Sequence, residues 1–218
     1  MAVVNGNVIG NLSGKLGNLS ARTVEGRTIL AARPASFNAN KEPHVLEKRK
    51  KFSVTAKFAS AVIALSTLTA IWKKIKDVSV SVFNEVFQSN YDYSSTEKPT
   101  LQNIISPGGF PLQITNAEVD SNKITAVLPA LNTASVFETG EVNLSANALV
   151  CYYDPTNPID QPFNIISLSK EIPGFNFTQE YNLQLDYNVL QETLAAKYQH
   201  SILFNTPQPT LKSVNKNP

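Results

Sequence analysis

The chain has 218 residues and a formal net charge of +2, and it is 42% hydrophobic and 17% charged. This size suits one large domain or one domain with an extension, with enough apolar residues for a buried core. The single cysteine, Cys151, excludes an intramolecular disulfide and a zinc site built on cysteines, and its apolar surroundings in the sequence predict a buried thiol.

Charge is distributed unevenly along the chain. Residues 1–76 contain 13 Lys and Arg and three acidic residues, whereas residues 77–218 contain six Lys and 14 acidic residues. Such asymmetry indicates that the two parts face different surroundings. The basic part can meet nucleic acid, or it can match an acidic surface of its own chain or of a neighbouring subunit, and the sequence leaves both open.

Glycine is concentrated at the N-terminus, where five of the nine glycines lie within the first 26 residues. This density predicts positive φ angles or close approach to another chain. A phosphate-binding loop is excluded, because three residues instead of four separate the second glycine from the third, and leucine follows the lysine. The candidate subunit-contact residues are Gly10, Gly14, Lys15, Gly17 and Asn18.

A β-hairpin and a helix are predicted next. Residues 19–24 and 27–32 flank Glu25-Gly26, which is a typical hairpin turn. One long helix is expected over about residues 43–76, because apolar residues recur there at intervals of three and four. Residues 1–76 therefore form a basic hairpin-helix arm in this prediction.

Four consecutive cations lie near the start of this helix, at Lys48, Arg49, Lys50 and Lys51. Positive charge is unfavourable at the N-terminal end of a helix. We therefore expect an external partner, either the phosphates of nucleic acid bound without sequence specificity or an acidic subunit surface. Neutralisation by Glu42 or Glu47 is the structural alternative. Aromatic residues do not alternate with these cations as in a platform for single-stranded nucleic acid.

Residues 77–111 are predicted to form a strand, from the alternation of Val78, Val80 and Val82, followed by a linker rich in Ser, Thr and Pro. Short β-like runs bounded by turn residues then predict an antiparallel β-sandwich over residues 112–206, immunoglobulin-like or jelly-roll-like.

Residues 189–198 suit a short helix before the last strand, which is expected to end at residue 205, and residues 207–218 suit a mobile tail. The expected fold class is mainly β with α.

No catalytic or metal-binding pattern is present in the sequence. His44 and His200 lack the spacing of metal ligands, and no nucleophile elbow or pair of catalytic carboxylates occurs. Asp154 and Asp160 bracket a Pro-Thr-Asn-Pro segment that predicts a turn, because it lacks the alternating oxygen ligands of a calcium loop. We therefore expect neither enzymatic activity nor a cofactor nor a metal.

Neither a signal peptide nor a membrane span is predicted. Residues 1–6 lack a basic segment and a long apolar stretch. The apolar segment at residues 58–72 is shorter than the roughly 20 residues that span a bilayer. We therefore expect synthesis in the cytoplasm without a signal peptide.

Three features of the first third of the chain resemble an uncharacterised family that is common in Bacteroidetes bacteria and also occurs in phages. These are Gly-Asn-Leu-Ser-Gly-Lys-Leu-Gly-Asn at residues 10–18, the hairpin with Gly26 and Arg27, and Lys-Arg-Lys-Lys-Phe at residues 48–52. The family has a Gly-x-x-Gly-Lys-x-Gly-Asn opening and an Arg-x-Lys/Arg-Phe helix start. Beyond the first third the resemblance is loose: Tyr-Tyr-Asp-Pro at residues 152–155 is comparable to a strand end in the family's immunoglobulin-like C-terminal half.

The resemblance transfers no catalytic residue. It implies a structural protein of a phage virion, such as a capsid or head-associated component, whose N-terminal arm contacts further copies or other virion proteins. A ligand-binding or adhesion module of the β-sandwich type is the alternative. Measurements of native mass and of glycan binding distinguish the virion component from the binding or adhesion module.

Overall fold

A computed structural model of the chain describes residues 2–4, 13–24, 27–32, 39–107, 114–130, 143–176 and 178–210. The chain forms two compact units, the N-terminal unit Met1–Val45 and the body Leu46–Pro218. The predicted arm of residues 1–76 is therefore not one unit, since most of its helical part belongs to the body.

The N-terminal unit contains a four-stranded antiparallel sheet with the order β1-β4-β3-β2. Its strands are β1 (Ala2–Val4), β2 (Gly14–Leu16), β3 (Leu19–Val24) and β4 (Arg27–Ala32). Strands β3 and β4 pair along their whole length, which confirms the predicted hairpin, although its turn residues lie outside the described residues. Gly17, with φ +58°, opens the two-residue connection from β2 to β3, as in a type II′ hairpin.

The helical segment contains two helices, so the prediction of one long helix is wrong. Helix α1 spans Pro43–Ile63 and helix α2 spans Ser66–Ile75, and the pair is bent by 105°. The bend falls at Leu65, which has an extended backbone and a buried side chain. The Thr69 hydroxyl donates to the Ile63 carbonyl at 2.8 Å and so satisfies an acceptor at the end of α1.

Helix α3 (Val82–Tyr91) occupies the region where a strand and linker were predicted. The strand prediction is wrong: Val78 is fully exposed, and the valine alternation runs into the first residue of a helix. The Ser81 hydroxyl accepts a hydrogen bond from the Asn84 N–H at 3.2 Å, so it caps α3. The sequence contains this N-cap serine, but the alternating valines around it favoured a strand over a helix.

Two buried asparagines fix the segment that follows α3. Asn90 Nδ2 donates to the carbonyls of Val86 at 2.9 Å and Ile104 at 3.0 Å, and its Oδ1 accepts from the Ile104 N–H at 2.8 Å. Asn103 Nδ2 donates to Asn90 Oδ1 and to Ser94 Oγ, both at 3.1 Å. The predicted linker is therefore bonded into the body and is not a free spacer.

The described strands of the body form two three-stranded antiparallel sheets. The outer sheet has the order β5-β6-β9, with β5 Asn116–Val119, β6 Lys123–Leu128 and β9 Tyr181–Asp186. The central sheet has the order β10-β7-β8, with β7 Asn143–Pro155, β8 Phe163–Ile172 and β10 Tyr198–Thr210. Helix α4 (Val189–Ala195) lies between β9 and β10, where a short helix was predicted.

Strand β10 continues past the predicted end of the last strand. It reaches Thr210, which is paired with Asn143 at the start of β7. It thus enters the segment predicted as a mobile tail, whose remaining residues lie outside the described part of the chain, and the mobility of the tail stays a prediction. Two prolines lie in this extension, and the position of β10 at the edge of its sheet tolerates their missing N–H groups.

Strand β7 is buried on both faces and joins two hydrophobic cores. One core contains alternate β7 residues with side chains from β6, β8 and β9. The other contains Leu149 and Cys151 of β7 with residues of α1, α2 and α3, including Phe58 and Trp72. The body thus has three layers: helices, central sheet and outer sheet. The fold is mixed α/β with substantial β content, and the immunoglobulin-like or jelly-roll-like type stays a prediction.

We expect Asn90→Ala to lower the free energy of unfolding by about 3 kcal/mol or more, because the Ile104 N–H and the Asn103 amide lose their buried partner. Asn84→Ala, at an exposed position of the same helix, is the control and should change it by less than about 0.5 kcal/mol. Urea unfolding followed by circular dichroism measures both. Equal losses would show that the asparagine pair does not hold this segment.

Candidate functional site

The N-terminal sheet has one uncharged face and one basic face. Paired residues on neighbouring antiparallel strands share a face, and successive residues of a strand alternate between faces. Among residues with described side chains, the uncharged face carries Leu19, Ala21, Thr23, Thr28, Leu30 and Ala32. The basic face carries Lys15, Ser20, Arg22, Arg27, Ile29 and Ala31. This separation of charge makes the sheet amphipathic.

The uncharged face of this sheet has little cover. Thr28 is the only buried side chain among those described in the N-terminal unit, and Leu19 and Leu30 are half-buried. A sheet gains stability when its apolar face packs against another layer. The uncharged face is therefore a candidate surface for a partner.

The predicted subunit-contact residues lie on or next to this sheet, except Gly10, which is outside the described residues. Gly14 and Gly17 have φ values of +116° and +58°, as their density predicted. Lys15 is exposed on the basic face and Asn18 is exposed in the turn. Their contact with another subunit stays a prediction.

Helical geometry places the four cations of α1 in different surroundings. Successive residues are about 100° apart around an α-helix, so four in a row cannot face one partner. Lys51 is half-buried, because its Nζ donates to the main chain at the end of α3 at 3.3 Å and lies 4.9 Å from the centre of the Tyr91 ring. Lys48 and Arg49 are exposed and have no hydrogen bond, ion pair or ring contact with the described residues.

The acidic residues proposed to neutralise this run do not pair with it among the described residues. The Glu42 carboxylate lies 3.4 Å from Nδ1 of His44, and Glu47 makes no ion pair with the described cations. Lys48 and Arg49 therefore remain available to an external anion.

Aromatic rings lie beside the basic run in space, although no aromatic residue alternates with its cations in the sequence. The ring of Phe52 in α1 lies 4.8 Å from that of Phe87 in α3, and Phe87 also packs with Phe83 and Tyr91. Phe52 is 56% exposed. The sequence does not show this arrangement, because α3 supplies three of the four rings and follows a second helix.

A cleft of about 800 Å³ opens between α1, the segment after α3 and the loop from β7 to β8. The cations that line it are Lys50, Lys57 and Lys98. Its carboxylates are Glu97, Asp154 and Asp160, and its aromatic rings are Tyr153 and Phe163. Of these cations, only Lys50 was a predicted site residue. Lys57 could have been predicted to lie near Lys50, because it comes two helical turns later in the predicted helix. No pattern in the sequence indicated that Lys98 lies near them.

Two lysines of the cleft are held over aromatic rings. Lys98 Nζ lies 3.9 Å from the centre of the Tyr153 ring. Lys57 Nζ lies 4.9 Å from the centre of the Phe163 ring and donates to Gln161 Oε1 at 3.3 Å. These contacts orient the ammonium groups but do not neutralise them. Within the described part of the chain, no carboxylate forms an ion pair with the three cleft lysines.

The carboxylates of the β7–β8 loop have other basic partners. Asp160 pairs with Lys197 at 3.4 Å, and Asp154 lies 3.6 Å from Nε2 of His200. Asp154 has φ +61°, a left-handed conformation that aspartate adopts more readily than most residues. The predicted turn is thus present between β7 and β8, and its two aspartates face different partners instead of a shared ion.

The buried titratable groups have raised pKa values. Burial raises the pKa of the Cys151 thiol to about 12, and Lys98 opposes this in part. Burial also raises the pKa values of Tyr152 and Tyr187, whose hydroxyls are 2.7 Å apart. Among the described residues, no group of three His, Cys, Asp or Glu side chains is placed to hold a metal ion. These groups act in packing, as predicted for Cys151.

Comparisons of the chain with family models, with curated proteins and with solved structures found no match. None of the helices that the structure describes is by itself long and apolar enough to cross a membrane, and the bent pair α1–α2 meets the criterion only by combined length and composition.

The Cys151 thiol makes the free energy of unfolding depend on pH in the alkaline range. In the unfolded chain it ionises at its ordinary value of 9.0, whereas in the folded chain its pKa is about 12. The folded state therefore keeps the proton longer, and the contribution to stability is complete below pH 9 and lost as the pH rises from 9 towards 12.

We expect the urea midpoint of the natural chain to fall more steeply over this pH range than that of Cys151→Ala. Tyr152 and Tyr187 are present in both proteins, so the difference between the two slopes reports the thiol alone. A thiol reagent should label Cys151 only after unfolding. Rapid labelling of the folded chain at pH 8 would contradict its burial.

Proposed function

We propose that the protein is a structural assembly protein that associates with further copies of itself through the N-terminal sheet. The observation that carries this proposal is the uncharged face of that sheet, where Thr28 is the only buried side chain among those described. A small sheet of this kind requires another layer to cover it. A second copy of the chain supplies such a layer.

Charge supports a second copy as the partner. The basic face presents Lys15, Arg22 and Arg27, whereas residues 77–218 carry 14 acidic residues against six Lys. The body Leu46–Pro218 as a whole is nearly neutral, with 14 Lys and Arg and 15 acidic residues, so the attraction between copies is confined to its part after residue 76. The proposed contact is made by the uncharged face, so charge contributes to the long-range attraction between copies and not to the contact itself. A contact between two different surfaces repeats from copy to copy, and it produces a closed ring or an extended array. This is the behaviour of an assembly protein.

The assembly that we propose is a phage virion, with the chain as a capsid or head-associated component. The resemblance of residues 10–18 and 48–52 to a family with phage members supports this assignment. The core shared by the two sheets of the body supports a sandwich of immunoglobulin-like or jelly-roll-like type. Other virion proteins are alternative partners of the N-terminal sheet.

We expect Leu30→Glu to prevent self-association, because it places a charge on the uncharged face of the N-terminal sheet. Ile29→Glu is the matched control: the neighbouring residue of β4 is equally half-buried, but it lies on the basic face beside Arg22 and Arg27. Native mass by light scattering should show a smaller particle for Leu30→Glu and the natural mass for Ile29→Glu.

Deletion of residues 1–35 removes the whole N-terminal sheet and is the reference for complete loss of assembly. The truncated chain should keep the circular dichroism spectrum of a folded body and lose assembly. Natural assembly by the truncated chain, or equal masses for the two glutamate variants, would exclude the N-terminal sheet as the contact.

Contact with nucleic acid is a further part of the proposed function. The exposed, unpaired Lys48 and Arg49, next to the rings of Phe52 and Phe87, support it. Phosphate contacts release counterions, so each lost contact with a single strand should lower the salt dependence of binding by about 0.7 units of slope.

The variant Lys48→Gln/Arg49→Gln should bind a generic single-stranded oligonucleotide more weakly, with a salt slope smaller by about 1.4. Lys73→Gln/Lys74→Gln removes the same charge from exposed positions of α2 and serves as the control. Fluorescence anisotropy at several salt concentrations measures both. The same slope in both variants would reject a role for Lys48 and Arg49.

A ligand-binding or adhesion module is the second candidate function. The observation that favours it is the cleft beside α1, which combines charged groups with aromatic walls. A monomeric chain with a saturable ligand site would support this candidate over assembly.

A further inference from the structure

The cleft contains three ammonium groups that form no ion pair with the described residues, beside three carboxylates, of which Asp160 pairs with Lys197 and Asp154 lies near His200. Lys50, Lys57 and Lys98 line one space, and none forms an ion pair with a described carboxylate. Lys57 and Lys98 are oriented by ring contacts with Phe163 and Tyr153. Like charges held in one cleft repel each other, and a bound anion relieves that repulsion.

We infer that the cleft binds a small organic anion, with a phosphate, sulfate or carboxylate group placed among Lys50, Lys57 and Lys98. This inference rests on the second candidate function, the ligand-binding module, and it does not depend on self-association. Lys50 and Lys57 lie two helical turns apart on α1, about 10 Å along the axis, and Lys98 comes from the opposite wall. The anion is therefore approached from two sides.

The walls of the cleft favour an organic ligand over a bare ion. Besides the two rings, Pro155, Pro158 and Pro162 line the space. The volume of about 800 Å³ falls within the range of small-molecule sites, roughly 300–1,000 Å³. A bare ion would leave the rings and prolines in water, whereas the organic part of a ligand covers them.

The carboxylates of the cleft disfavour a long polyanion. Glu97 has no cationic partner among the described residues, and Asp154 is 55% exposed at the side chain. A nucleic-acid strand running through the cleft would meet both negative charges. A small ligand instead places its anion at the lysines, and hydroxyl groups of its neutral part can donate hydrogen bonds to the carboxylates.

The test uses the full chain and two organic phosphates, phenyl phosphate and glucose 6-phosphate. Phenol and glucose are the matched ligands without the anion, and inorganic phosphate is the matched anion without the organic body. Isothermal titration at constant ionic strength measures each affinity. We expect at least one organic phosphate to bind in a saturable manner, at least tenfold more tightly than inorganic phosphate and than its own neutral counterpart.

Lys57→Gln should weaken this binding at least tenfold, whereas Lys48→Gln, also on α1 but outside the cleft, should change it less than twofold. The inference is overturned if neither organic phosphate binds, if the neutral compound or inorganic phosphate binds as tightly, or if the two variants behave alike. A single-stranded oligonucleotide that competes for the same lysines with higher affinity would overturn it in favour of nucleic acid.

Native mass is measured in the same samples, and the titration is repeated with Leu30→Glu. Ligand binding that survives the loss of assembly separates the cleft from the N-terminal sheet. Loss of ligand binding only in Lys57→Gln, with an unchanged native mass, assigns the effect to the cleft. Failure of ligand binding and failure of self-association are thus observed independently.

Discussion

Burial of strand β7 on both faces is the constraint on which the body depends. From Asn143 to Tyr152 every side chain is buried, so the strand needs one layer on each side. The outer sheet covers one face and the helices cover the other. The buried polar residues of β7 are also satisfied, since Asn147 accepts from the Thr67 hydroxyl at 2.6 Å and donates to Ser145.

The bend between α1 and α2 follows from this constraint. Both helices bury side chains in the core on the central sheet, and hydrogen bonds attach each of them: Ser167 in β8 donates to the Ala61 carbonyl of α1 at 3.0 Å, and Thr67 of α2 bonds to β7. Bending at Leu65 keeps both halves over the core.

The sequence predicted elements where one local pattern dominated. Strands β6 and β8 begin and end where alternation and turn residues placed them, as do β3 and β4. The helix bend escaped prediction because apolar residues keep their three- and four-residue spacing across Leu65. The cleft escaped because its lysines come from separate elements, and a convergence such as that of Lys57 and Lys98 depends on tertiary packing. Local periodicity carries no information about it.

The two faces of the N-terminal sheet differ in charge, unlike the two faces of strand β7. In β7 both faces are uncharged and both are covered, whereas in β4 the neighbours Ile29 and Leu30 belong to faces of opposite character. Burying the uncharged face removes apolar area from water, and it turns the cations of the other face outward, where water and acidic groups can surround them. A layer placed on the basic face would have to desolvate Arg22 and Arg27. The sheet therefore favours a layer on one side only, and in the proposed assembly the next copy approaches from that side.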